Sequence, residues 1–584
     1  MSYSEILANG RISKEARDFY ELKNKAAEFY RTNGVPQRIE EVLNAMFYEM
    51  PEDVYGYLAN YFSEYSKPSL ISKIRGKEML DGKGQPVVQV EILCTVKNHE
   101  KSISFAGVPC PSELTENALP DVRQSKAKER RESVNIALEW INEILCPMLK
   151  GLHPTDQPVV DKLLSDYFAR KSEEEKERMK IETETIAVTP VPQQLPSSQP
   201  QKGKKGSAKA KKSATSEKPV PPAEPPEHIY KGSMAIGATS LAVAKAGAKL
   251  KKIPLYIYIA MLKYQEMPLE LTMPLPMVTL LSCGKSSPGK LNLLKELIAI
   301  PSTQMTVKQS LKMFSDLQLQ ITRMLDASSK TGAVSKADSD LGCIITGYDR
   351  LEQPLDIIQE SCKNLGLTLG EDLHLAVNCA AHELMDYEKG KYEIITGVHK
   401  SPDELVDYIV DLTSRYPAVI AVIDPLRKED KEQWANLQGS LGRKCYLIAE
   451  AASKTISTLL LEENLKNPMH NCILLKQVNQ TTISDLIEIT KHLEGQTNIT
   501  ALGSSDWEIA DDSLGDLAVG LGAKFVKLGG LSRGERVIKY NRLVAIEEEL
   551  AQKGTMGERQ PHMFSAANEV IFPIEESGSL LTDH

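Results

Sequence analysis

From about Ile229 to Gly557 the chain alternates short apolar runs with amphipathic helical stretches, and few architectures accept that order. Neighbouring parallel strands need crossovers of a dozen or more residues, usually helices, and the strands become buried on both faces. The pattern therefore predicts an α/β fold with parallel strands. At 584 residues the chain exceeds what one core supports, so two or more folded units are expected.

Charge and composition exclude several classes. A net charge of −9 argues against nucleic acid as a general partner. No apolar run reaches the roughly 18–20 residues of a membrane span, so no membrane partner is expected. The N-terminus lacks the apolar core of a signal peptide. Nine cysteines without CxxC pairs suit a reducing compartment, which predicts a cytoplasmic protein.

Between about Ser172 and Glu227 the chain turns poor in apolar residues and rich in Lys, Ser and Pro, and is expected to be disordered. Its lysine cluster, KGKKGSAKAKK, reads either as a solvated linker or as a patch for an acidic partner. The helical stretch DYFARKSEEEKERMKIE precedes it and is expected to fray into it.

Near the N-terminus, Ile39, Val42, Leu43 and Met46 fall on one helical face, and Val54, Tyr57, Leu58, Tyr61 and Phe62 on another. The break falls at Met50–Pro51, with Pro51 expected at a first helical position. Two short amphipathic helices need a partner, a dimer mate or their own barrel to cover them. The pair resembles the dimerisation/docking helices of the regulatory subunits of cAMP-dependent protein kinase. That implies a groove for the amphipathic helix of an A-kinase-anchoring scaffold protein.

A second resemblance covers most of the chain from Ile71 onward. DGKGQPVVQVEI at Asp81–Ile92, DQPVVDKLL at Asp156–Leu164 and AIGATSLAVAKAGAKLKKIPLYIYIA resemble the capping domain of the enolase family. NCILLKQVNQ at Asn471–Gln480 and LGDLAVGLGAKFVKLGGLSRGERVIKYNRLVAIEEEL at Leu514–Leu550 resemble its barrel. The resemblance implies an enolase-type β/α barrel with an α+β N-terminal capping domain, a docking-like helical extension and a disordered insertion. The boundaries expected are 1–67 for the extension, 68–170 and 229–265 for the two parts of the capping domain, 171–228 for the insertion, 266–557 for the barrel and 558–584 for a tail.

The same resemblance assigns chemistry. Enolases convert 2-phosphoglycerate to phosphoenolpyruvate and water, pairing a lysine base with Mg²⁺ on the ene-diolate. Lys476 falls at the proton-acceptor position, Lys527 at the position that holds the substrate carboxylate, and Glu296 at a carboxylate beside the leaving hydroxide, with Lys295 replacing a neighbouring Gln. The three metal-ligand positions read Asn378, Ile423 and Glu450, so only one carboxylate remains for Mg²⁺. Asp424 follows Ile423 and is expected on the opposite barrel face. Ile344, in GCIIT, stands where the general acid belongs. Asp506 stands in the phosphate-binding motif, which loses its arginine. CPSEL at Cys110–Leu114 replaces the mobile loop. Glu383, Asp424 and Asp506 are the carboxylates that a shifted register could bring in.

Two functions follow from the resemblance, and both stay open at this point. One is a weak enolase-type lyase of glycolysis. The other is a non-catalytic docking protein that keeps the fold. The resemblance further implies a homodimer or a heterodimer with a conventional enolase subunit. Its likeness to divergent, sperm-associated members of the family implies a place in the sperm flagellum.

Overall fold

The computed structural model describes residues 14–110, 119–188, 221–225, 227–285, 287–328, 337–450, 455–461, 470–495 and 498–562. The chain forms two compact units, one comprising Met1–Ser69 with Thr95–His99 and the other the remainder.

The described part of the first unit is three helices, α1 (Lys14–Thr32), α2 (Val35–Glu49) and α3 (Val54–Glu64). Gly34 and Met50 adopt left-handed backbone angles, at φ 62° and 44°, and end the first two helices. Pro51 does not open α3 as expected. Asp53 caps it instead, its Oδ1 accepting the Gly56 N–H at 2.8 Å, because a carboxylate satisfies an orphan donor and proline cannot. A polar seam joins α2 to the end of α3: Arg38 pairs with Glu41 at 2.6 Å and lies 4.3 Å over the Tyr65 ring, while Tyr61 donates to Glu41 at 3.2 Å. Val42 is the buried apolar residue of the described helices, whereas Ile39, Leu43, Phe47, Val54 and Phe62 are exposed.

The second unit opens with a three-stranded sheet, β1 (Leu70–Leu80), β2 (Pro86–Val96) and β3 (His99–Gly107), in that order. Helices α4 (Pro120–Glu139), α5 (Gln157–Val188), α6 (Met234–Leu250) and α7 (Leu255–Tyr264) follow. The α5 helix continues well past residue 170, because SEEEKERMKIE consists largely of strong helix formers. Residues 189–220, which hold the lysine cluster, lie outside the described residues, as does the tail beyond residue 562. Buried Asp161 ties this cap to the barrel. Its Oδ1 accepts from Ser240 and Gln157, at 2.6 and 2.9 Å, and its Oδ2 from the Ser484 N–H and hydroxyl, at 2.9 and 2.7 Å.

Eight strands then close a barrel: β4 (Leu275–Ser282), β5 (Glu296–Pro301), β6 (Leu373–Asn378), β7 (Val419–Ile423), β8 (Tyr446–Ala449), β9 (Cys472–Leu475), β10 (Ile499–Gly503) and β11 (Phe525–Gly529). From β6 onward the pairings are parallel, and β11 pairs with β4 to complete the ring. One strand departs from the parallel pattern of the others. β5 runs antiparallel to both neighbours, because the chain between β4 and β5 supplies no crossover helix and must turn straight back. Met277, Ile298, Ala376, Ile423, Ile448 and Phe525 pack together in the interior, so the barrel is a core and not a pore. No described helix is long and apolar enough to cross a membrane.

Two glycines test how tightly the ring closes. A Cβ on Gly530, just after β11, would stand 2.1 Å from the Gly342 carbonyl oxygen, whereas one on Gly534 would meet nothing within 4 Å. Gly530→Ala should therefore lower stability by about 1–3 kcal/mol in chemical denaturation, the usual cost of overpacking. Gly534→Ala, at the start of a helix, should be neutral or stabilising by up to about 1 kcal/mol.

Candidate active site

Because β5 enters the barrel in reverse, its first residue stands at the end where the parallel strands finish. Glu296 therefore faces Asn378, the last residue of β6, directly in register. Ile423 closes β7, Glu450 follows β8, Lys476 follows β9, and Lys527 lies within β11. The strand ends thus bring together the predicted Lys476, Lys527, Glu296, Glu450 and Asn378 at one mouth.

Their contacts form a chain of charge. Lys527 Nζ sits 2.8 Å from Glu296 Oε1 and 3.0 Å from Glu450 Oε2, and Glu450 Oε1 sits 2.6 Å from Lys476 Nζ. Asn378 Nδ2 donates to Glu296 Oε1 at 2.6 Å, and the Thr279 hydroxyl donates to Glu296 Oε2 at 2.8 Å. The Asn378 side-chain oxygen accepts the Ala380 N–H at 3.1 Å. Every side-chain oxygen of Glu296, Glu450 and Asn378 already accepts from a protein donor. Glu296, Asn378 and Lys527 are buried, whereas Glu450 is partly buried and the Lys476 side chain keeps 30% exposure.

Burial and pairing oppose each other at these groups, and pairing prevails. Burial alone would push the Glu450 carboxyl up, but Lys476 and Lys527 hold it well below the usual carboxylate range. Burial alone would lower both ammoniums. Glu450 with Asp506 raises Lys476, and Glu296 with Glu450 raises Lys527. Lys476, Lys295 and Lys527 hold the Asp506 carboxyl below the usual carboxylate range. Lys476 is therefore a protonated ammonium at neutral pH.

The remaining predicted positions fall differently. Ile423 packs into the barrel core beside Ile448 and offers no oxygen. Asp424 leaves the strand in a left-handed turn, at φ 44°, and its Oδ1 accepts the Glu450 backbone N–H at 2.9 Å. Glu383 pairs with Lys295 at 2.7 Å on the rim. Ile344 pairs alongside Leu281 of β4 and presents hydrocarbon. Of CPSEL, only Cys110 belongs to the described residues. Two participants carried no sequence signal: Thr279, one polar residue within an apolar strand, and Arg536. The Arg536 guanidinium is fully buried and donates to the Ser504 hydroxyl and to the carbonyls of Ser505, Asp506, Leu528 and Asp340, which fixes the loop after β10. The cavity beside this loop, lined by Gly107, Pro109, Gln477, Ser505 and Glu508 among others, measures about 30 Å³, which is room for about one water.

A closed eight-stranded barrel with one reversed strand, a three-stranded cap and two lysines at the strand ends defines an enolase-type barrel. Residues 270–563 match the enolase C-terminal TIM barrel domain, and the chain belongs to the enolase family. It is 51% identical to Enolase 4 of Xenopus laevis over 573 residues, 98% of each chain. It is 49% identical to Enolase 4 of Homo sapiens, over 96% of this chain and 93% of that protein, and 48% identical to Enolase 4 of Mus musculus, over 96% and 94%.

The family implies Mg²⁺, and the donor set does not fit it. Mg²⁺ requires anionic oxygens in near-octahedral array. Of the three matched ligand positions, Glu450 has both oxygens on ammoniums, Asn378 is neutral and Ile423 is hydrocarbon. Among the described residues no group of three or more His, Cys, Asp or Glu could hold a metal ion. Calorimetric titration with Mg²⁺ should give no saturable, stoichiometric heat. Tight binding lost on Glu450→Gln would contradict this assignment.

Proposed function

We propose that this chain keeps the enolase barrel as a folded scaffold and does not carry out the metal-dependent conversion of 2-phosphoglycerate to phosphoenolpyruvate at an enolase rate. The observation that carries the reading is the Lys476–Glu450 pair at 2.6 Å. A general base needs a free lone pair near neutral pH, and a lysine reaches that state when neighbouring cations depress its pKa. Here the neighbour nearest Lys476 is an anion that keeps its proton in place. The replaced acid at Ile344 removes the group that would protonate the departing hydroxide, a loss that typically costs about 10²–10⁴ in rate.

A weak lyase is the competing reading, supported by the survival of Lys476, Lys527, Glu296 and Glu450 at matched positions. Hydrogen exchange at the α-carbon of 2-phosphoglycerate separates the two, because it reports proton abstraction even when hydroxide loss fails. Wild-type exchange should be no faster than that of Lys476→Ala. Exchange at least tenfold above that control would restore the catalytic reading, with Lys476 as its base. In that case Lys527→Ala should weaken substrate binding and slow abstraction together.

The first unit supplies what a scaffold needs. Its helices leave Ile39, Leu43, Phe47, Val54 and Phe62 exposed, with Val42 as their buried apolar residue. Apolar stripes of this kind favour docking of an amphipathic helix, for which an anchoring scaffold of the flagellum is the partner proposed. Leu43→Asp should reduce binding of an amphipathic anchoring-helix peptide at least tenfold in fluorescence polarisation, with the barrel's thermal unfolding unchanged. Equal affinity in the variant would remove this face from the proposal.

A further inference from the structure

The barrel has a second end, opposite the mouth, where β6, β8 and β11 begin and β5 finishes. The last described residues close over it. Arg559 donates to the Met273 carbonyl at 3.0 Å and to the Met305 carbonyl, and pairs with Glu547 at 3.4 Å. Three residues on, the His562 ring stacks over Phe525 with centroids 6.5 Å apart, and meets Tyr446 at 6.1 Å and His374 at 4.9 Å edge to face. Phe525 and Tyr446 open β11 and β8 and are fully buried, so His562 covers the lowest layer of the barrel core. Beside the two histidines lies a cavity of about 650 Å³, walled in part by Val419, Ile420 and Cys445.

Only neutral imidazoles suit this contact. The charges close to it are positive: Lys524 Nζ lies 5.2 Å from the centre of the Tyr446 ring, and Lys444 lines the cavity. No carboxylate is among the described residues that line it. Acids on the adjoining elements are engaged elsewhere, Asp372 with the Thr368 N–H at 2.7 Å and Glu547 with Arg559 and the Val307 N–H. The thiols of Cys445 and Cys472 are pushed up by burial and stay uncharged. The His374 Nδ1 is buried with no hydrogen-bond partner among the described residues. Burial, with His374 and Lys524 adding to it, pushes the His562 pKa down to about 4 against the Pro301 backbone contact, and burial lowers that of His374. We infer that Arg559–His562 is a proton-released plug on the barrel floor, packed down while His374 and His562 are neutral and lifted off when both take up a proton, opening the cavity beside them. Two imidazoliums 4.9 Å apart, beside Lys524 and away from water, would repel strongly. A histidine whose pKa is lower in the packed state favours packing above its ordinary 6.5, and that preference is lost as pH falls toward the lowered value. For His562 alone, packing weakens about 30-fold between pH 7.5 and pH 5, and His374 adds to it in the same direction.

No residue of the mouth takes part, so the test is independent of the scaffold reading. It is hydroxyl-radical footprinting of the full chain at pH 7.5 and pH 5, reading oxidation of Phe525 and Tyr446 by mass spectrometry. Both side chains sit under the plug, so their oxidation should rise at least about fivefold at pH 5, within the roughly 30-fold weakening of packing. Phe314, fully buried in the helix Val307–Ser328, should not change. The double variant His374→Phe/His562→Phe keeps the ring contacts without a titrating nitrogen, and its footprint should be the same at both pH values. If that variant does not fold, His562→Arg decides. Its fixed charge should give at pH 7.5 the exposure of Phe525 and Tyr446 that wild type shows at pH 5, with Phe314 still protected. An unchanged wild-type footprint at pH 5, a rise shared equally by Phe314, or a rise that persists in the double variant would overturn the plug. So would a protected floor or an exposed Phe314 in His562→Arg.

Discussion

A charge taken out of water must meet its opposite, and this requirement shapes the second unit from cap to mouth. An unpaired buried ion costs several kcal/mol even after relaxation, so each one fixes the placement of a neighbour. Arg427 and Asp430 form such a pair, each about 1% exposed, with the Tyr392 hydroxyl donating to the same carboxylate. Lys539 and Glu508 form another at 2.7 Å, and Arg130 and Asp81 a third at 2.6 Å. The Glu296–Lys527–Glu450–Lys476 set is the largest expression of the same rule. Its members come from different strands, so satisfying them fixes how far each strand extends past the core. Pairs of this kind add modestly to stability relative to a well-packed apolar alternative. Their weight lies in the penalty for breaking them, which makes one arrangement of the strand ends much better than its competitors.

Much of this fold was legible before any coordinates, for physical reasons. Strands buried on both faces leave apolar runs such as CILL and AVI, and the helices between them leave a period of 3.6 residues. The reversed strand β5 left no mark, because an apolar run such as LIAI signals burial without direction and only the absence of a crossover helix reveals the turn. The helical character of DYFARKSEEEKERMKIE was legible from its good helix formers, but the point where the helix ends was not, since the same polar residues also suit a linker. Pro51 was misplaced because helix-start rules gave it the first position, while local backbone geometry gave the cap to Asp53.

The site divides in the same way. Lysines that close apolar strands can be read from a sequence, and so can an isoleucine at position 344 or 423 where the family resemblance leads one to expect an acid. The protonation state of Lys476 cannot, since it depends on Glu450, which lies 26 residues away in the chain and 2.6 Å away in space. The roles of Thr279 and Arg536 were equally hidden. A threonine in a strand and an arginine in a helix are ordinary, and only their partners, the Glu296 carboxylate and a set of loop carbonyls, give them meaning.

The burial of Ile423 limits what that position can hold. A carboxylate there would stand among Ile448, Met277 and the rest of the barrel interior, while the ammoniums at the mouth are already taken, Lys527 by Glu296 and Glu450 and Lys476 by Glu450. A charge added alone would stay buried and unpaired, which costs several kcal/mol. Ordinary packing energy at position 423 therefore works as a filter on sequence: an acid can enter there only together with a cation to receive it.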